Sequence, residues 1–122
     1  MEKNKDNRLV IIVKIEKYIE YMLTILLKLP RTEKFSIGTE VKTSMYEMLK
    51  NVMYIVKIDE SKRLYYIDKI DVELNCQRIF LRLMVKNRWI DEKKFNIAMS
   101  YISEIGKLVG GLIKYYGKKN KK

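Results

Sequence analysis

The chain contains one proline, Pro30, and only five glycines, at positions 38, 106, 110, 111 and 117, in 122 residues. Sheet proteins are punctuated by such breakers at their turns, so their scarcity here points to long helices joined by few connections. The apolar periodicity agrees with that expectation. Ile11, Ile15, Tyr18, Met22, Ile25 and Leu29 recur at alternating steps of four and three, with Ile12, Ile19 and Leu26 beside them, drawing a broad apolar face on a first helix. Lys14, Lys17, Tyr21, Thr24 and Lys28 mark its wetter side. Asn7 is a candidate N-cap, and the Leu29-Pro30 step ends the helix, because the residue before proline is pushed out of the α region.

Thr32 is placed to cap a second helix, with Glu33 in the first turn and Val41, Met45, Met48, Val52 and Ile55 as the apolar stripe. A polar run at residues 57–61 breaks it, and Asp59 or Ser61 is placed to cap the next element. The third helix carries Leu64, Ile67, Ile70, Leu74, Leu81, Met84 and Val85 inward and closes at Arg88-Trp89-Ile90-Asp91. Asp91 caps a fourth, whose inward set is Phe95, Ala98, Ile102, Ile105, Val109 and Leu112. Four amphipathic helices joined by short loops bury their stripes most simply as an all-α, antiparallel up-down four-helix bundle. The expected organisation is a flexible N-terminus over residues 1–8, the bundle over 9–116 and a disordered basic tail over 117–122. The apolar face of the first helix is wider than one bundle interior requires. Either that helix is the most central one, or a second subunit covers part of it, and a homo-oligomer is expected.

Charge narrows the choice of partner. Lys and Arg number 26 against 15 Asp and Glu, a net charge of +11, which points to a polyanion such as nucleic acid. Catalysis has little to work with. There is no histidine, and the lone Cys76, between Asn75 and Gln77, has no base beside it and reads as a small half-buried packing residue. Asp68, Asp71 and Glu73 surround Lys69, as on an ordinary solvated helix face. Neither Gly38 nor Gly110-Gly111 belongs to a phosphate-binding loop. A protein that is not an enzyme, with no cofactor and no metal, is expected. A single cysteine and the lack of a signal-peptide pattern favour a cytoplasmic setting. No window approaches the roughly 20 apolar residues of a membrane span, so no membrane partner is expected.

Arg78, Arg82 and Lys86 are spaced by four on the third helix, with Arg88 at its end, and no acid occurs between Glu73 and Asp91. Solvated faces usually mix signs. The stripe therefore suits phosphates or an acidic partner, unless acids on an adjacent helix offset it. Lys114, Lys118 and Lys119, with Tyr115-Tyr116 and the terminal lysines, combine charge with aromatics as RNA-binding surfaces do, although solubilising tails share that composition. Gly106 and Gly110 lie one turn apart and each costs about 1 kcal/mol relative to alanine in a helix, so a packing reason is expected, inside the bundle or between subunits.

Three segments together resemble a known family: Leu29-Pro30-Arg31-Thr32-Glu33-Lys34-Phe35, Ile70-Asp71-Val72-Glu73-Leu74, and Ser103-Glu104-Ile105-Gly106-Lys107-Leu108-Val109-Gly110-Gly111-Leu112-Ile113-Lys114. They look like the accessory variability determinant (Avd) proteins of diversity-generating retroelements. These are a branch of a four-helix-bundle family that also includes proteins encoded in ribosomal RNA intervening sequences. The first segment is shared by both branches, and the Gly-Gly-Leu-Ile-Lys ending favours the retroelement branch. The resemblance implies a homo-oligomeric barrel, expected to be a pentamer. It would bind the reverse transcriptase and its template RNA in support of mutagenic cDNA synthesis, without chemistry of its own. Basic surface residues carry that role in the family, and the matching positions are Arg78, Arg82, Lys86 and Arg88, with Lys42 and Lys50 as further candidates. The alternative is a protein of the intervening-sequence branch, structural or RNA-binding, with no polymerase partner. A third reading, a peripheral protein on anionic lipid, is weakened by Glu16 and Glu20 on the polar stripe of the first helix.

Overall fold

A computed structural model describes the backbone of residues 2–120 and the side chains of residues 10–118. Five α-helices follow one another: α1 (Glu2–Leu26), α2 (Arg31–Lys34), α3 (Ile37–Lys57), α4 (Arg63–Lys86) and α5 (Glu92–Asn120), with a 3-10 turn at Glu60–Lys62. No strand occurs among the described residues.

Pro30 ends α1 as expected. The last amides of that region tighten into three-residue steps, Lys28 N donating to Ile25 O and Leu29 N to Leu26 O. The second helix differs from the expectation, because it is split. Pro30 stands at the N-cap of the single-turn α2, its carbonyl accepting from the amides of Glu33 and Lys34, while the Thr32 hydroxyl reaches only the Glu33 carboxylate at 3.4 Å and caps nothing. After a turn at Phe35 and Ser36, α3 starts against that short helix. Gly38 lets this corner close tightly, since a Cβ there would lie 3.2 Å from the Glu33 carbonyl oxygen and push it back by a few tenths of an ångström.

Three other boundaries move. α1 begins at Glu2, because nothing before Leu9 breaks a helix, so Asn7 lies inside it and is not its cap. Asp59 stands at the start of the 3-10 turn with no capping bond from its side chain, and Ser61 lies within that turn. At the other end, α5 continues through Gly117 to Asn120, because no proline or second breaker follows that glycine. The remainder of the expected tail, residues 121 and 122, lies outside the described residues. Asp91 behaves as predicted, its Oδ1 accepting from the Lys94 amide at 2.8 Å.

The four long helices pack in a ring, with α1 against α3 and α5, and α4 against the same two. Cross-helix pairs set the antiparallel registers. On α3 and α4, Tyr54 meets Tyr66 near one end, and Gln77 meets Val41 near the other. On α4 and α5, Arg63 meets Tyr116, and Arg78 approaches Gly106. The core joins Ile11, Ile15, Tyr18, Met22, Met45, Met48, Ile67, Leu74, Leu81, Ile102, Ile105 and Val109, each at most 1% exposed. Most of the wide apolar face of α1 is thus covered within the chain, while Val10 and Val13 on that helix and Leu27 just past its end remain exposed.

One polar relay crosses this core. The Tyr18 hydroxyl donates to Gln77 Oε1 at 2.6 Å, and Gln77 Nε2 donates to the Val41 carbonyl at 3.1 Å, tying α1, α4 and α3 together. Burial pushes the Tyr18 phenol far above its ordinary value, so it stays a neutral donor.

Candidate nucleic-acid interface

Residues spaced by four on a helix share a face, and α4 sets Arg78, Arg82 and Lys86 along its α5-facing flank. Arg78 is half-buried and braced, its Nη1 donating to Asn75 Oδ1 at 2.7 Å, while Arg82 and Lys86 are exposed. Among the described residues no carboxylate lies within 4.0 Å of any of the three. On α5, Glu104 lies on the α1 side and pairs with Lys14 at 2.7 Å. The hydrogen bond and charge of Lys14 hold the Glu104 carboxyl below the usual carboxylate range.

Arg88 belongs to a different local structure. It has φ 62°, the left-handed position just past a helix end. Its amide donates to Val85 O at 3.1 Å, and the Trp89 amide donates to Met84 O at 2.9 Å, a Schellman closure usually made with glycine. The Arg88 side chain is exposed and shares a cleft of about 470 Å³ with Trp89, Asp91, Glu92 and Lys94. Asp91 and Glu92 thus border the same cleft as Arg88, although neither comes within 4.0 Å of its guanidinium.

The other expected lysines are dispersed. Lys42 and Lys50 are exposed on α3, which packs on the opposite flank of α4 from α5. Lys42 borders a cleft of about 400 Å³ with Leu23, Leu27, Lys34 and Phe35. Lys50 lies 3.7 Å from Glu47. Lys114 and Lys118 are exposed on α5, joined there by Lys107, which the charge pattern had not singled out although it precedes Lys114 by two helical turns. The side chain of Lys119 lies outside the described residues.

Neither glycine of the expected packing pair meets another helix backbone within the chain. A Cβ on Gly106 would touch only the Arg78 guanidinium, and one on Gly110 would meet open space. Tyr115 and Tyr116 are not a free stacking surface. Tyr116 is 1% exposed, accepts a hydrogen bond from Arg63 Nη1 at 3.3 Å and packs edge-on with the half-buried Tyr115. Arg63 also donates through Nε to the Ile55 carbonyl at 3.0 Å, so it ties the end of α3 to α5. Among the described residues the tyrosines that reach the surface are Tyr46, Tyr54 and Tyr65, of which Tyr54 and Tyr65 are the most open at 54% and 60%. Their positions on the outer faces of α3 and α4 left them out of the inward stripes.

The outer face of α4 also carries Tyr65, Val72 and Ile79 at steps of seven and Leu83 one turn on, all exposed. No helix among the described residues is long and apolar enough to cross a membrane. No curated protein matches the chain. The model of the bAvd-like family matches residues 9–116, from the second turn of α1 to Tyr116, and the chain belongs to that family.

Proposed function

We propose that this protein is a non-catalytic accessory factor of a diversity-generating retroelement that holds template RNA and the reverse transcriptase together in the cytoplasm. The observation that carries this reading is the Arg78–Arg82–Lys86 flank, an un-neutralised run of cations on a chain of the bAvd-like family. That family is an accessory, non-catalytic one. Phosphates meet such a flank without sequence preference, and release of their counterions drives the binding. The neighbouring outer face of α4, with Val72, Ile79 and Leu83 exposed, suits a protein partner, either the polymerase or another subunit of a homo-oligomeric barrel. A pentamer is the assembly proposed, with Gly110, which faces open space on α5, near the contact between subunits.

The test is a salt titration of RNA binding with Arg78→Ala, Arg82→Ala and Lys86→Ala combined. The triple variant keeps its helicity and loses most of its affinity at low salt. The slope of log affinity against log salt flattens by about 2, near 0.7 per phosphate contact on a single strand. Unchanged affinity and slope would remove this flank as the site. Co-purification with the reverse transcriptase separates this reading from the intervening-sequence alternative, which has no polymerase partner.

A further inference from the structure

At the corner where α3 ends and α4 begins, three tyrosines form a connected cluster. Tyr54 stacks on Tyr66 with ring centroids 4.9 Å apart and planes 17° from parallel, and Tyr65 meets Tyr66 edge-on at 5.1 Å. Lys69 Nζ sits 4.9 Å over the Tyr65 ring. Tyr54 is more than half exposed and lines an open groove of about 410 Å³ with Lys50, Met53 and Lys57. Lys50, Tyr54 and Lys57 are spaced by four and three, so the ring lies between two ammonium groups on one helix face. Glu47, Asp68 and Glu73 line a separate groove on the Tyr65 side, although Glu47 is also the partner of Lys50, and Asp59 and Glu60 lie in the connection just past Lys57.

Tyr66 fixes the plane of Tyr54 without covering the whole ring, so its exposed area is held in place before any ligand arrives. A flat aromatic surface flanked by cations suits one ligand chemistry above others: an unpaired nucleobase stacked on the ring, with its flanking phosphates against the lysines. Duplex RNA keeps its bases stacked inside and has no face to offer. We infer that Tyr54, braced by Tyr66 and flanked by Lys50 and Lys57, is a stacking platform for an unpaired base of single-stranded RNA, separate from the α4 flank. The inference rests on the RNA-binding reading above and adds a second contact to it, on a different pair of helices.

The test uses three fluorescein-labelled probes of equal length followed by anisotropy: oligouridylate, an abasic strand with the same backbone, and an RNA duplex. Wild-type protein binds oligouridylate more tightly than the abasic strand. Tyr54→Leu loses about tenfold in oligouridylate affinity, the range expected for one base stacked on one ring, and barely changes duplex or abasic binding. Tyr54→Phe keeps the ring and retains wild-type affinity, while far-UV circular dichroism of both variants reports whether the helices persist. Wild-type binding to oligouridylate that Tyr54→Leu leaves unchanged overturns the platform alone. Failure of the wild type to bind any of the three probes overturns both the platform and the RNA reading. Loss of polymerase association with unchanged RNA affinity in Tyr54→Leu makes this corner a protein contact and also overturns the platform.

Discussion

The Arg78 guanidinium occupies the space beside Gly106, where an added Cβ would come within 2.9 Å of Nη2. The obstructing atom is the end of a flexible side chain, so alanine at 106 displaces the guanidinium without forcing the helices apart. Gly106→Ala is expected to leave stability unchanged or slightly raised while it lowers RNA affinity through Arg78. Gly110 meets nothing, and Gly110→Ala gains the helix propensity of alanine, about 1 kcal/mol, or about 4 °C in melting temperature. Thermal unfolding of the two variants side by side checks the contrast. Gly110→Leu tests the proposed subunit contact: light scattering is expected to show a smaller assembly with helicity intact, and an unaltered mass removes that contact.

Arg88 holds a backbone conformation that glycine adopts freely and that L side chains resist by roughly 1–2 kcal/mol. Part of that relief is offset by the greater freedom of glycine in the unfolded chain. Arg88→Gly is therefore expected to stabilise the protein by about 0.5–1 kcal/mol, seen as a higher urea midpoint at unchanged slope. Arg88→Ala keeps the strained conformation and gives no such gain. If both variants lose RNA affinity equally, the charge matters there; if neither does, Arg88 serves the turn alone.

The Tyr18–Gln77–Val41 relay is enclosed, and removing one partner strands another. Tyr18→Phe leaves Gln77 Oε1 without its donor and is expected to cost about 1–3 kcal/mol in chemical denaturation. Tyr18→Phe combined with Gln77→Met removes both polar side chains in similar volume and recovers part of that loss. Additive losses in the double variant contradict the relay.

Glu104 supplies the pH-dependent prediction. Its folded-state pKa is lowered, first by the hydrogen bond from Lys14 and then by that residue's charge. The pair's contribution is thus present above the unfolded-state carboxylate value and fades as pH falls through the lowered folded one. Lys14→Gln is expected to return the Glu104 titration, followed by carboxyl NMR, toward the ordinary range. An unmoved midpoint contradicts the assignment. The effect on stability is small because both side chains are substantially exposed.

Much of the fold was legible before the structure. The four-and-three spacing of Ile11 to Leu29 named the buried face of α1, and Leu29-Pro30 and Asp91 marked a real helix end and a real cap. What was missed near Gly38 has a local cause: the Pro30 carbonyl closes its own turn, and the next helix starts afresh against it. The candidate site was half legible. Spacing put Arg78, Arg82 and Lys86 on one flank, but whether acids opposed them depended on which face of α5 packs beside α4, and Glu104 lies on the other side, paired with Lys14 of α1.

The aromatic residues divide along the same line. Tyr115-Tyr116 beside lysines looked like a base-stacking pair, yet Tyr116 lies four residues past Leu112 on the buried stripe of α5, and Arg63, 53 residues away, meets its hydroxyl. Tyr54 and Tyr66 belong to different helices and become a stacked pair only through the antiparallel register of α3 and α4. Helical character, the buried stripes and the basic run on α4 come from the order of residues alone, because spacing along one helix fixes which side chains share a face. Which exposed charges stay unpaired, which tyrosines stack on one another and what each glycine faces were decided only when the four helices packed, because those depend on neighbours that sequence spacing does not name.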